Sequence, residues 1–144
     1  MSITIPSDYK YVFAVAGLTS IVNVALEMTV MKHRKASGVS YPHLYATAEE
    51  CAKDKKKQIF NCAQRCHANF LESLPTMLPL LLLGGISLPK SAATAYATWL
   101  ISRYFYTTGY LTGDPSKRAA GAKGFFVALP LLGMACYSIY GLFF

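Results

Sequence analysis

The feature that most constrains this chain is the stretch Ile59–Ile86, IFNCAQRCHANFLESLPTMLPLLLLGGI, an apolar run that opens on a group of polar residues. It exceeds the roughly 20 residues a helix needs to cross the hydrocarbon of a bilayer. At the helical period, Arg65, Asn69 and Glu72 fall within roughly 60° of one another on one face. Ionisable side chains at that depth are costly and face a bundle interior or a wet cavity. The stretch therefore predicts both a membrane helix and a site.

Three further apolar runs accompany it. The predicted spans are about 11–31, 60–83, 91–110 and 122–144, each a helix that satisfies its own backbone hydrogen bonds. The expected fold is a single all-α integral-membrane domain over residues 1–144, with four transmembrane helices. Pro75, Pro79 and Pro130 should bend their spans, and Gly84-Gly85 with Leu88-Pro89 should mark the exit of the second. The N-terminus lacks a basic leader, so the first run reads as a retained span. Charged residues make up 15% of the chain, against about a quarter in ordinary soluble domains.

The net charge of +7 raises nucleic acid as a partner. Its distribution argues otherwise. Lys32, Arg34, Lys35, Lys53, Lys55, Lys56 and Lys57 follow the first span, and Lys117, Arg118 and Lys123 follow the third, with only Lys10 and Lys90 on the opposite side. That is the positive-inside pattern, which puts both basic loops in the cytosol and both termini across the membrane. Four cysteines, Cys51, Cys62, Cys66 and Cys136, show no disulfide framework. Cys62, Cys66 and His67 invite a metal or haem reading, but three residues separate the cysteines, whereas haem attachment needs Cys-x-x-Cys-His. Further zinc ligands are lacking, so no metal site is expected.

Arg65, Arg103 and Glu27 all lie toward the cytosolic ends of their spans. Charges gathered at one depth point to a polar cleft opening to the cytosol. Arg103, Tyr106 and Tyr110 form a second stripe at spacings of three and four. Taken alone, Tyr104 and Tyr106 fit an aromatic belt at the headgroups, and Arg103 alone fits a counter-ion for Glu72 or Glu27. Together, guanidinium, amide, carboxylate and phenols suit a small zwitterionic or anionic ligand.

These motifs carry a resemblance. FNCAQRCHANFLE, then Tyr106, Gly109 and Tyr110, then TGDPSKR, together with Lys32-His33-Arg34-Lys35 and Val39-Ser40-Tyr41-Pro42, resemble the MAPEG family of integral-membrane glutathione enzymes, above all its type 3 microsomal glutathione S-transferase branch. The resemblance covers nearly the whole chain. It implies a left-handed four-helix bundle assembled as a homotrimer, binding glutathione between subunits near the cytosolic face. It further implies that Arg65, Asn69, Glu72, Tyr106 and Tyr110 line the cleft from one subunit, with Arg34 and His67 approaching from the next. Arg34 and Arg65 would then take carboxylates through forked hydrogen bonds, and Glu72 the ammonium. Arg118 matches the family's arginine that favours the thiolate of glutathione. Lys35 and Arg103 are supporting candidates. Three departures stand out: Ser73 where some members have tyrosine, Lys35 where some have a second arginine, and a turn one residue longer, which leaves Lys117 competing with Arg118 for one position.

The activity so implied is glutathione transfer, with peroxidase activity, on lipophilic electrophiles or lipid hydroperoxides that enter from the bilayer. The expected location is the endoplasmic reticulum membrane, with the outer mitochondrial membrane as the alternative. The resemblance leaves one other function open, a non-catalytic membrane adaptor presenting lipids to a partner. A channel is disfavoured by the lack of an inverted repeat or charged ring.

Overall fold

The computed structural model describes residues 6–144, and among these every regular element is helical. A 3₁₀ turn, Ser7–Tyr9, leads into α1 (Lys10–Ser37), which ends at Gly38 in the left-handed conformation, φ 68°. A loop follows, holding α2 (Ala48–Lys53). Thr47 and Glu50 form a reciprocal capping box at its start. Asp54 then caps α3 (Lys55–Ser87) by accepting from the Lys56 N–H at 2.8 Å. One residue, Leu88, separates α3 from α4 (Pro89–Tyr110), and Pro89 sits at the first helical position, where its missing N–H costs nothing. The chain returns through a 3₁₀ turn (Pro115–Arg118), α5 (Ala119–Ala122) and a second 3₁₀ stretch (Lys123–Val127) into α6 (Ala128–Phe143).

Among the described residues, three segments are long and apolar enough to cross a membrane: Ser7–Ser37, Lys55–Ser87 and Pro115–Phe143. The fourth expected span, α4, has the length, 22 residues, but is not among them. Its apolar character is diluted by Lys90, Arg103 and four tyrosines. Boundaries also shift. The second helix extends about a turn beyond 60–83 at each end, and the last span begins in 3₁₀ turns rather than as a regular helix from 122. Pro130 falls in the first turn of α6 and so stands where proline is tolerated, not where it would kink the helix. Pro75 and Pro79 lie inside α3, which runs through both.

Gly84 and Gly85 are not an exit. They are buried inside α3, where a side chain on Gly84 would press on Met134 of α6 and one on Gly85 on Val12 of α1. The missing side chains let three helices meet closely. Nearby lies the main core, built on Trp99, which stacks on Phe70 with ring centroids 5.5 Å apart and lies against Tyr96. Tyr96 is itself fully buried, and its hydroxyl accepts from Thr19 at 3.0 Å. By contrast Phe13, Ile21, Met28, Phe126, Leu129 and Tyr140 all point outward, the inverse of a soluble protein's surface and the expected one for helices set in lipid.

Candidate functional site

The antiparallel course of α1, α3 and α4 brings the end of α1, the start of α3 and the end of α4 to one end of the bundle. Lys55 of α3 accordingly lies beside Gly113 of the α4 exit turn. At this end a cleft of about 430 Å³ opens between α3, α4 and the 115–127 segment. Asn69, Glu72, Ser73 and Thr76 line it from α3, Arg103 and Tyr106 from α4, and Arg118 and Phe125 from the returning chain.

The α3 face predicted from periodicity is held by specific partners. Arg65 grips Glu72 with two parallel hydrogen bonds, Nη1 to Oε1 at 2.7 Å and Nη2 to Oε2 at 3.1 Å. Both side chains remain about half exposed. Asn69 is held differently, its Oδ1 accepting from Arg103 Nη2 at 2.9 Å. Arg103 thus neutralises neither Glu72 nor Glu27. It is buried, lies over the Tyr106 ring at 4.1 Å, and fixes the amide that faces the cleft.

Tyr106 and Tyr110 continue the α4 stripe edge to face, 5.4 Å apart, and pack with Cys62 and Cys66. Both tyrosines are buried, whereas Tyr104 is exposed. The aromatic-belt reading therefore fits Tyr104 and not Tyr106. Arg118 Nη1 donates to the Tyr110 hydroxyl at 3.2 Å and to the Pro115 carbonyl at 3.3 Å. Lys117 precedes it on the same turn but does not line the cleft.

The delivery of Arg118 depends on residues that periodicity did not single out. A Cβ on Gly109 would stand 2.3 Å from the Lys117 carbonyl oxygen, and one on Gly121 would stand 2.3 Å from Ser102 O and Tyr106 N. Only glycine lets the returning chain lie directly on α4. Asp114 starts the turn, accepting from both the hydroxyl and the N–H of Ser116, which together hold its carboxyl below the usual range. The available signals were the Gly in Tyr-x-x-Gly-Tyr and the Gly121-x-x-Gly124 pair.

Arg34 and His67 stand apart. Arg34 is buried at the end of α1, sandwiched between the Tyr41 and Phe60 rings at 4.4 and 4.6 Å, and donates to the His43 carbonyl at 2.8 Å. His67 turns toward α1, with Nε2 3.1 Å from Asn23 Oδ1. Neither lines the cleft. Lys35 is exposed beside Arg34. Asn61, also unforeseen, binds the loop to α3 by pairing with both the N–H and the carbonyl of Ala46, at 2.8 and 2.9 Å. The four cysteines are free thiols.

Lipid-facing helices around a polar cleft define the class, an α-helical membrane protein with an arginine- and tyrosine-lined cleft at one end. The model of the MAPEG family matches residues 12–138, and the chain belongs to that family. The family includes membrane glutathione transferases and related enzymes.

Proposed function

We propose that this protein is a membrane-bound glutathione S-transferase with glutathione-dependent peroxidase activity. The observation that carries the reading is the convergence of Arg118, Arg103 with Asn69, Tyr106 and Glu72, the last paired with Arg65 just outside the lining, on one cleft. Glutathione offers complements to each: two carboxylates, an ammonium and a thiol. A glutathione carboxylate exchanges with Glu72 on the Arg65 fork, and the ammonium takes Glu72. The amide of Asn69, held in place by Arg103, donates to the peptide backbone of the ligand.

Arg118 then acts on sulfur. A thiol with an ordinary pKa of about 8.5 is mostly protonated at neutral pH, and an adjacent guanidinium shifts it toward the thiolate nucleophile. The phenol of Tyr110 holds Arg118 from behind and keeps one of its nitrogens occupied, so the others face the ligand. In transfer, the thiolate forms a carbon–sulfur bond and the electrophile's leaving group or ring oxygen takes the electron pair. In peroxide reduction, it attacks the terminal oxygen of ROOH and the O–O bond breaks, giving ROH after protonation and a sulfenic acid. A second glutathione converts that acid to the disulfide and water.

In the proposed assembly α4 also crosses the membrane. Its 22 residues span about 33 Å at 1.5 Å each, and the single residue Leu88 turns the chain straight back from α3. The left-handed bundle forms a trimer, with Arg34 and His67 of each subunit approaching the cleft of the next, and Lys35 beside Arg34. The basic loops face the cytosol, and the membrane is that of the endoplasmic reticulum.

Replacing Arg118 tests the reading. Arg118→Ala should abolish the ultraviolet thiolate signal of bound glutathione and reduce conjugation and peroxide turnover about 10²–10³-fold, the usual loss for one charge-stabilising donor. Lys117→Ala should leave both within a factor of about 2. Full activity in Arg118→Ala overturns the assignment. Failure of the purified protein to bind glutathione would instead favour the lipid-presenting adaptor.

A further inference from the structure

The polar face of α3 begins before Arg65. Asn61, Arg65 and Asn69 follow one another at intervals of four, which stacks them on one side of the helix, and Asn61 stands one turn, about 6 Å, nearer the loop. Its amide is spent on the chain rather than on the cleft. Oδ1 accepts from the Ala46 N–H at 2.8 Å, and Nδ2 donates to the Ala46 carbonyl at 2.9 Å. Residues 38–47 are thus strapped across this end of the bundle. From α1, Arg34 holds the strap by donating to the His43 carbonyl at 2.8 Å, and from α3 Asn61 pins it at Ala46. Beyond the strap, Lys57 of α3 pairs with Glu50, the acid of the α2 capping box.

A strap pinned at Ala46 carries the preceding residue, Tyr45, to the turn of α3 that bears Arg65. The phenol lies within electrostatic range of the Arg65 guanidinium. Tyr45 is not there to fill a core: its side chain is 42% exposed and borders an open pocket of about 250 Å³. Its hydroxyl has no hydrogen-bond partner among the described residues. The other tyrosine of the strap, Tyr41, has a structural task, stacking on Arg34 at 4.4 Å. An exposed tyrosine ordinarily needs no partner but water. Position sets this one apart, because it places an unused donor beside a half-exposed arginine at the mouth of the cleft.

We infer that Tyr45 is a ligand-binding residue, its hydroxyl donating to the same glutathione carboxylate that Arg65 takes, and that Asn61 is the positioning residue that brings it there. An ionised carboxylate has about four lone-pair sites, of which a guanidinium fork uses two. Its far side is left to water unless a second donor stands there, and Tyr45 is that donor. In the ligand-free chain Arg65 is occupied by Glu72, and the phenol acquires its partner only with the ligand. The inference rests on the cleft taking glutathione; it adds the 38–47 strap to the site.

The test uses the full chain in phosphatidylcholine nanodiscs, titrated with glutathione and with two analogues, one carrying an amide in place of the glycyl carboxylate and one lacking the carboxylate of the γ-glutamyl residue. Tyr45→Phe, which removes one oxygen from an exposed ring, should weaken glutathione at least about fivefold, as loss of one hydrogen bond to a charged group does. It should weaken one of the two analogues by less than about twofold, because the carboxylate served by the phenol is missing there. Asn61→Ala should speed amide exchange across residues 43–47 in the ligand-free protein and weaken glutathione by a similar factor. In the double variant the two losses should not add, since one residue acts through the other. Glutathione binding unchanged in Tyr45→Phe overturns the inference, as does an equal loss on glutathione and both analogues; unchanged amide exchange in Asn61→Ala removes Asn61 from its role. A native protein that binds no glutathione removes the proposed function and this inference with it, whereas normal binding that ignores Tyr45→Phe removes the inference alone.

Discussion

Gly109→Ala sets two physical effects against each other. In a helix, alanine is better than glycine by roughly 0.5–1 kcal/mol, so propensity alone predicts a more stable protein of unchanged activity. The packing predicts the reverse. The new Cβ would lie 2.3 Å from Lys117 O and 2.8 Å from Lys117 C, and the carbonyl must retreat to 3.0 Å or more. The obstacle is backbone, so no side-chain rotation relieves it. Arg118 is the next residue, and its 3.2 Å bond to Tyr110 is already near the useful limit. A displacement of about 1 Å at a reacting group costs about 10²-fold, or about 2.7 kcal/mol of transition-state stabilisation. The expected result is therefore a kcat/KM for glutathione conjugation lowered about 10²-fold, together with loss of the thiolate signal. Thermal unfolding in detergent should fall by only a few degrees, because the core around Trp99 lies further along α4. A Gly109→Ala protein that is fully active and more stable would show that the turn does not rest on α4 as described.

Trp99→Ala should be far more disruptive, removing a fully buried ring stacked on Phe70. About 3–5 kcal/mol of stability should be lost, read as a large drop in the detergent melting temperature. Glu72→Gln should change stability by less than about 1 kcal/mol, since its pair with Arg65 is about half exposed. The same substitution should raise the KM for glutathione about tenfold through loss of the ammonium partner; an unchanged KM would remove Glu72 from the binding site. The loop has a pH signature of its own. Hydrogen bonds from Lys57 and from Thr47 hold the Glu50 carboxyl down at about 2. A carboxyl lowered on folding stabilises above its unfolded pKa, and that contribution is lost as pH falls toward the folded one. Amide-exchange protection of α2 should therefore be flat from pH 7 to 5 and decline between about 4.5 and 2; a decline already at pH 6 would contradict the capping box.

Much of this architecture was legible because membrane helices write their positions in long apolar runs, and because charges within them are conspicuous. Arg65, Asn69 and Glu72 share a face by arithmetic alone, and the stripe Arg103, Tyr106, Tyr110 follows from the same period. Periodicity does not choose partners. It could not decide that Arg65 takes Glu72 while Arg103 takes Asn69, because that depends on how α3 and α4 are rotated against each other. Glycines misled in a consistent way. Gly84 and Gly85 read as a break but serve helix contact, and Gly109, legible only as part of a motif, and Gly121 let the Arg118 turn settle on α4. Pro130 likewise has one meaning in the middle of a helix and another in its first turn, and the 3₁₀ lead-in that decides between them has no strong composition. α2 was readable in principle from Thr47 and Glu50, whose spacing is that of a capping box.

The single residue at Leu88 has a mechanical consequence. With so short a joint, α3 and α4 behave as the arms of a pair of tongs, hinged at the end of the bundle opposite the basic loops. Arg103 lies 15 residues beyond the joint, a lever arm of roughly 22 Å. Tilting α4 by about 2° on that arm moves the guanidinium by roughly 0.8 Å relative to Asn69, enough to make or break their hydrogen bond. Bilayer thickness, or a bulkier side chain at residue 88, acts on the hinge rather than on the jaws. Either would then retune the cleft without touching any residue that lines it.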